Sequence, residues 1–265
     1  ALDADSADPL WAYACETYHG RTGSVATVFP ADLDGDGKHE VVAGSDNWHY
    51  HAFSEDGELL WRTNTTHAST TGCSGDHDGD GSDEVLAGCE YYGPSILDSS
   101  GKRIGKIYGG PVITATALLD LDGDGKAEAL VGMEDGFVRC RLADSEDAWK
   151  TNVGGAPTAL APMDVDGDGR LEVVCASESF SVYAIRADGS LVWRAELSDS
   201  VNDLALVGDA IVAGCDDGRI YLLDRTGAIA GSTDVPDPVS HVVALNEDLA
   251  VVSAGATLTA LAPNP

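Results

Sequence analysis

One acidic loop recurs along this chain at a fixed spacing. Its first residues are Asp32, Asp76, Asp120 and Asp164, and each lies 44 residues after the one before. A constant period of this length is the sequence signature of a repeat architecture, in which every repeat forms one supersecondary unit. The chain is therefore expected to fold as a series of similar units that stack against one another.

Short β-branched runs fill the rest of each repeat. The first acidic loop is followed by the run at residues 40–44, a second apolar strand, the turn Asp56-Gly57 and a strand that contains Trp61. Asp-Gly is typical of tight hairpins, because glycine accepts the positive φ that such turns need. Four strands per repeat at this spacing predict the blade of a β-propeller.

Two further repeats lack the acidic loop but keep the strands, at residues 210–223 and 250–261. With the four acidic repeats they predict an all-β, six-bladed β-propeller of four-stranded antiparallel blades, with residues 1–265 as a single domain. The last repeat has no outer strand of its own. We expect residues 9–13 to supply that strand and to close the ring, which removes the free sheet edges.

The loop at residues 32–40 alternates carboxylates with turn-forming residues. Asp32, Asp34 and Asp36 occupy positions one, three and five, Lys38 offers a backbone carbonyl at position seven, and Glu40 completes an oxygen shell at position nine. Hard oxygen donors in this number suit calcium, so we expect four structural calcium ions, one per loop. The predicted ligands of the other three loops are Asp76, Asp78, Asp80, Ser82, Glu84, Asp120, Asp122, Asp124, Lys126, Glu128, Asp164, Asp166, Asp168, Arg170 and Glu172.

Two alternatives to this metal site are weaker. An EF-hand needs a bidentate glutamate at position twelve, where these loops hold Ala43, Ala87, Val131 and Cys175. Solvated acidic turns without a metal are the other interpretation, but carboxylates packed this closely would repel one another. Both considerations favour a propeller loop that holds a cation.

The acidic loops resemble FG-GAP and VCBS repeats, and the Asp-Gly and Leu-x-Trp elements resemble PQQ-like propeller repeats. The resemblance extends over nearly the whole chain. Relatives of this type include the propeller of integrin α-chains and many secreted bacterial proteins, so the resemblance implies a calcium-bearing extracellular propeller. It does not select a function, because such propellers serve as adhesion modules, lectin-like domains and catalytic domains of some polysaccharide lyases.

The charge of the chain narrows the choice of partners. Forty-five acidic residues against fifteen basic ones give a formal net charge of −30, which repels phosphate backbones and anionic lipid headgroups. No apolar stretch approaches the roughly 20 residues of a membrane span. We expect a secreted, monomeric domain that binds carbohydrate or an extracellular protein, with neither nucleic acid as a partner nor insertion into a membrane.

The first two repeats contain a second group of candidate residues, which combines aromatic rings with polar side chains. These residues lie in the loops that we expect at the end of the propeller opposite the acidic loops. Rings that stack on sugar C–H surfaces beside amide, carboxylate and imidazole groups are what a carbohydrate site requires. The predicted ligand-binding residues are His19, Arg21, Asn47, Trp48, His49, Tyr50, His51, His67, Glu90, Tyr91 and Tyr92. Side chains alternate along residues 48–51, so only one pair of them can face a ligand. The pattern leaves open which pair, and whether these rings instead pack between blades.

Functions of different classes fit this site. The favoured one is a calcium-stabilised, non-catalytic module of a larger extracellular protein that binds carbohydrate or protein; a pure adhesion scaffold is a variant of it. The alternative is a polysaccharide lyase that acts on uronic-acid polymers by β-elimination. In that case Arg21 would neutralise the uronate, His19 or His67 would take the α-proton, and Tyr50 would protonate the leaving oxygen.

Overall fold

A computed structural model describes residues 1, 6, 8–91, 93–107, 110–141 and 147–262. These residues form strands, turns and no helix, and the strands lie in six antiparallel sheets. Five sheets have four strands each, and the last has three among the described residues. The all-β prediction and the number of blade-like units are thereby confirmed. None of the described residues forms a helix that could span a membrane.

The strands of the first three sheets follow chain order. The first sheet contains β1 (Val25–Ala31), β2 (Glu40–Ser45), β3 (His49–Phe53) and β4 (Leu59–Asn64). The second contains β5 (Ser69–Gly75), β6 (Glu84–Cys89), β7 (Ser95–Leu97) and β8 (Arg103–Lys106). The third contains β9 (Ile113–Leu119), β10 (Glu128–Met133), β11 (Phe137–Arg141) and β12 (Asp147–Asn152).

The remaining sheets repeat this order. The fourth contains β13 (Pro157–Met163), β14 (Glu172–Ser177), β15 (Ser181–Ile185) and β16 (Leu191–Glu196). The fifth contains β17 (Val201–Val207), β18 (Ala210–Cys215), β19 (Arg219–Leu223) and β20 (Ile229–Asp234). The last contains β21 (Val239–Asn246), β22 (Leu249–Ala254) and β23 (Thr257–Leu261).

The chain divides into two compact units. The first unit contains Ala1–Leu119, Gly125–Leu130 and Arg141–Glu146, and the second contains Asp120–Asp124, Val131–Cys140 and Asp147–Pro265. In the first unit, apolar side chains of the first and second sheets form one buried cluster, which includes Val42, Tyr50, Val85 and Leu97. The inner strands are buried on both faces, which explains why their sequences are short apolar runs without strict alternation.

Among the described residues, two such clusters lie in the second unit. One joins the fourth and fifth sheets and includes Val174, Val182, Ile211 and Leu223. The other joins the fifth sheet to the last and includes Val212, Val239, Val242 and Val252. Burying a side chain of this size contributes about 1.5–3 kcal/mol, so packing between neighbouring sheets is a large part of what stabilises each unit.

Tryptophans of the outer strands join neighbouring sheets. The indole N–H of Trp61 on β4 donates to Ser99 O of the second sheet at 2.9 Å, and its ring lies against Gly101. A Cβ on Gly101 would fall 2.5 Å from this ring, so only glycine fits. Trp193 on β16 repeats the arrangement with Arg225 O at 2.9 Å. Trp61 and Trp193 therefore each connect one sheet to the next.

The N-terminal segment makes the same contact with the first sheet. Trp11 donates its indole N–H to Glu55 O at 3.1 Å, and its ring covers Gly57. Trp11 thus occupies the position that an outer-strand tryptophan takes on the following sheet. Residues 9–13, however, form none of the strands, although Pro9 takes part in a β-bridge. Pairing of this segment with the last sheet, closure of a ring and a single domain stay predictions.

Candidate metal centres and aromatic surface

The four acidic loops connect the first and second strands of their sheets. Residues 32–40 begin directly after β1 and end at the first residue of β2, and the other three loops lie between the equivalent strands. Gly35 and Gly37, at positions four and six, have φ values of 71° and 82°, and the equivalent glycines also have positive φ. Glycine adopts this conformation without steric cost. The repeated Asp-Gly pairs therefore coil each loop tightly.

Carboxylates converge within these coils. In each of the four loops, the carboxylate oxygens of three residues lie within 4.8 Å of one another. The groups are Asp32, Asp34 and Asp36 in the first loop, Asp76, Asp78 and Glu84 in the second, Asp120, Asp122 and Glu128 in the third, and Asp164, Asp166 and Glu172 in the fourth. Each group brings together three of the five residues predicted as ligands, and its spacing is compatible with a shared cation.

Backbone N–H groups hold the carboxylates in place. The position-six glycine donates to the position-one aspartate at 3.0 Å in three loops, from Gly37, Gly81 and Gly169 to Asp32, Asp76 and Asp164. The position-five N–H donates to the position-three carboxylate at 3.2 Å in the first two loops and 3.3 Å in the fourth. Asp76 and Asp164 also accept a second N–H at the other oxygen, from Gly79 and Gly167 at 2.7 Å. The N–H groups of each loop therefore fix the direction of its carboxylates.

The third loop repeats the turn. Gly123 N–H donates to Asp120 Oδ1 at 2.7 Å, and Asp124 N–H donates to Asp122 Oδ1 at 3.1 Å. Glu128 is the first residue of β10. The local sequence thus produces the same fold of the aspartates wherever it recurs.

The position-nine glutamates are fixed from inside the protein. Glu84 Oε2 accepts His77 N–H at 2.9 Å and Asp78 N–H at 3.2 Å, and Glu172 accepts Val165 N–H at 3.0 Å. Burial raises the pKa of Glu84 and of Glu172 above the ordinary range, and neighbouring aspartates add to the shift. A bound cation would favour the ionised form of both groups.

Asp32 provides a direct test of whether a cation fits. Its Oδ2 accepts the Gly37 N–H, whereas its Oδ1 is buried without a hydrogen-bond partner. A buried carboxylate oxygen with no partner is costly, and a metal ion would satisfy it. The donors are all oxygens, which is the chemistry of calcium. The residues present therefore fit calcium. The carbonyl role of Lys38, Ser82, Lys126 and Arg170, and ligation by Glu40, Asp80, Asp124 and Asp168, stay predictions.

Five rings form a continuous series in the first unit. Tyr18 lies 4.4 Å from His19, His19 stacks on Trp48 at 4.8 Å, Trp48 lies 5.3 Å from His67, and His67 lies 4.9 Å from Tyr91, measured between ring centroids. We call Tyr18, His19, Trp48, His67 and Tyr91 the aromatic strip. Tyr18 is 38% exposed and Tyr91 is 58% exposed. The sequence prediction had missed Tyr18, although its place beside His19 was a signal.

Trp48 has an unusual backbone conformation. It is the third residue after β2, with a φ of 70°. The equivalent turns after β10 and β18 hold Gly136 and Gly218, with φ values of 83° and 73°. A residue with a Cβ is strained in this region, by about 1–3 kcal/mol, and such strain is concentrated at functional sites. Only the turn after β14 shares this feature among the described residues, with Phe180 at a φ of 62°.

Charged groups accompany the strip. Tyr18 and Arg21 pair through two backbone hydrogen bonds of 3.0 and 2.9 Å, which form the turn that carries His19. The Arg21 guanidinium lies 3.7 Å from the Glu90 carboxylate, and both side chains are partly exposed. The structure thus brings together His19, Arg21, Trp48, His67, Glu90 and Tyr91 from the predicted set. Tyr92 lies outside the described residues.

Four other residues of that set are buried and engaged elsewhere. Asn47 donates to Glu16 O at 2.7 Å, and the Tyr50 hydroxyl donates to Thr71 O and Gly88 O at 2.6 and 2.9 Å. His49 contacts Asn47 O at 2.8 Å, and His51 stacks on Phe53. Both faces of residues 49–51 are covered, so neither alternating pair there faces solvent. These four residues do not contribute to the exposed surface.

Comparison with known proteins agrees with the fold. Residues 120–175, which contain the third and fourth acidic loops, match the family model of the FG-GAP-like repeat. The FG-GAP-type propeller repeat predicted from the loops is thereby confirmed. No curated protein matches the sequence of this chain.

Solved structures are similar at low sequence identity. One is the crystal structure of BBS1N in complex with ARL6DN, soaked with lead, with a TM-score of 0.73, 16% identity and coverage of 95% of this chain and 82% of that chain. Another is the computationally designed Ika8 protein, with a TM-score of 0.68, 16% identity and coverage of 93% and 73%. In all, 1431 chains match, so this likeness indicates the fold and selects no function.

Proposed function

We propose that the chain is a calcium-stabilised, secreted β-propeller module of a larger extracellular protein, and that it binds carbohydrate through the aromatic strip without catalysis. The observation that carries this proposal is Trp48. A bulky ring stands at a turn position where Gly136 and Gly218 adopt the same positive φ without strain, and it links the four other rings of the strip. Phe180 shares the positive φ, so it is the combination of this strain with the series of rings that marks Trp48.

The chemistry of the strip suits a sugar. Exposed faces of Tyr18 and Tyr91 offer apolar area to the C–H side of a pyranose, and ring stacking sets its orientation. Arg21 and Glu90 offer donors and acceptors for hydroxyl groups at one edge of the strip. The acidic loops support the scaffold, because a cation that joins three carboxylates fixes the turn between the first two strands of a sheet.

Trp48→Gly tests this proposal sharply. Glycine is the residue found at the equivalent turns, so the backbone of this turn accepts the variant without strain. The packing of the ring against His19 and His67 is lost, so a thermal melt accompanies the binding measurement. The loss of the ring is expected to weaken sugar binding up to about tenfold, since ring stacking contributes about 0.5–1.5 kcal/mol. Phe180→Gly removes the ring at the equivalent turn of the fourth sheet and is the matched control.

The measurement is a glycan-array screen followed by titration calorimetry with the best ligand. Binding that survives in Phe180→Gly and is lost in Trp48→Gly and Tyr91→Ala supports the strip. Equal binding in all four proteins contradicts it. An empty array, together with capture of a protein partner that depends on Trp48, would reassign the same surface to protein recognition.

In the lyase alternative, Tyr50 would protonate the leaving oxygen, and its position does not suit that role. The Tyr50 hydroxyl is buried and bonded to two carbonyl oxygens, and burial raises its pKa well above the ordinary value. It therefore has no access to a leaving group. Arg21, His19 and His67 belong to the surface of the aromatic strip, so this alternative would require an acid other than Tyr50.

A further inference from the structure

Loops one and two, residues 32–40 and 76–84, are joined by a reciprocal pair of hydrogen bonds. Asp32 N–H donates to Asp83 Oδ2 at 3.0 Å, and Asp83 N–H donates to Asp32 O at 2.8 Å. Asp83 is position eight of loop two. The other loops hold His39, Ala127 and Leu171 at that position. A carboxylate there is therefore particular to loop two.

These bonds act on the first ligand of loop one. Asp32 Oδ2 is held by Gly37 N–H, and Oδ1 is the buried oxygen without a partner. The direction of Oδ1 depends on the backbone of Asp32, and Asp83 fixes that backbone at both its N–H and its carbonyl. Asp83 consequently determines where the free oxygen of Asp32 points.

Asp83 is also linked to the metal group of loop two, because it directly precedes Glu84, a member of that group. Glu84 is tied to that loop through His77 and Asp78. The two loops are in close contact as well: a Cβ on Gly35 would lie 2.8 Å from Gly81 O. A movement of Glu84 would therefore also move Asp32, because Asp83 is joined to Glu84 by a peptide bond and to Asp32 by two hydrogen bonds.

We propose that Asp83 is a positioning residue for the metal centre of loop one and couples the calcium affinity of that loop to occupancy of loop two. This inference rests on the proposed calcium binding. The join between loops two and three is different, because Ala127 N–H donates to Asp76 O at 2.7 Å without a carboxylate at that position. Alanine at position eight is thus compatible with the fold.

The test uses the full chain with loops three and four disabled by Asp122→Ala and Asp166→Ala. Chelator-treated protein is titrated with calcium in a calorimeter, and two binding steps are expected. Adding Asp83→Ala is expected to weaken one step about tenfold, the effect of losing a hydrogen bond to a charged acceptor, and to make the two steps independent. Asp83→Asn keeps an acceptor oxygen and is expected to restore most of the affinity.

The outcomes separate the possibilities. Unchanged steps in Asp83→Ala overturn the proposal, and so does an equal loss in Asp83→Asn, because charge alone would then explain the effect. If the unmodified chain binds no calcium, the proposed function fails first, and this result differs from either of those. A melt in chelator checks folding, and Asp83→Ser replaces the alanine variant if that variant does not fold.

Discussion

The indole N–H of Trp11 donates to the carbonyl oxygen of Glu55 at 3.1 Å, and the ring covers Gly57 on the first sheet. Outer-strand tryptophans make the same contact on the next sheet, at Trp61 and at Trp193. A segment that forms no strand of its own therefore fastens to the first sheet as a blade strand would.

Removing this ring tests how much the N-terminal segment stabilises the first unit. Trp11→Ala is expected to lower the free energy of unfolding by about 2–4 kcal/mol, since a partly buried indole and its hydrogen bond are lost. Urea denaturation measures the change. Leu10→Ala is the control, because Leu10 is largely exposed and its loss is expected to have little effect. Equal stability of both variants would show that the segment is not fastened in this way.

Tyr50→Phe tests how much the buried hydroxyl of Tyr50 contributes to the stability of the protein. Removing it leaves Thr71 O and Gly88 O without their donor, so stability is expected to fall by about 1–3 kcal/mol. Tyr91→Phe, which removes an exposed hydroxyl, is expected to change stability by less than about 0.5 kcal/mol. If Tyr50→Phe is as stable as the original chain, the hydroxyl does not join the two sheets.

The buried His51 predicts a pH dependence. Burial lowers the pKa of His51 to about 4, and the neighbouring His49 and Arg62 add to the shift. The unfolded chain therefore binds this proton more readily than the folded protein does. Stability from this group is complete above a pH of about 6.5 and is lost as the pH falls towards about 4, by roughly 3 kcal/mol in all.

Denaturation between pH 4.5 and 7.5 checks this dependence. His51→Gln cannot take up the proton, so its stability is expected to fall less steeply with acid than that of the original chain. Parallel slopes for the two proteins would exclude His51 as the source.

Activity against uronic-acid polysaccharides gives a further prediction. Absorbance of the unsaturated product is expected to stay flat in the calcium-loaded protein, because Tyr50 has no access to substrate. A rise in absorbance that His19→Ala or His67→Ala abolishes would establish a lyase and contradict the binding-module proposal.

Much of this architecture could be predicted because its causes are local. The Asp-Gly loops and the turn at Asp56-Gly57 depend on neighbours within a few residues, so a repeat in sequence becomes a repeat in structure. The role of Tyr50 could not be predicted in the same way. Alternation shows that neighbouring side chains point to opposite faces, but the partners Thr71 and Gly88 belong to another sheet and leave no local pattern.

The role of Asp83 could not be predicted either, because its partner Asp32 lies 51 residues earlier in the sequence.

For residues 9–13, the sequence predicted a strand by analogy with the outer strands. In the structure, Trp11 takes the corresponding place on the first sheet while the segment forms no strand. The contact of Trp11 with the first sheet follows the pattern of the outer-strand tryptophans, and pairing of the backbone with the last sheet stays a prediction.

The most direct test of calcium stabilisation is a thermal melt of the purified chain with calcium and with excess chelator, combined with metal analysis. Four loops of the same sequence pattern predict four bound ions and a melting temperature about 10 °C or more lower in chelator, since each ion binds only the folded state. A protein that contains no metal and melts at the same temperature in both conditions would contradict the account.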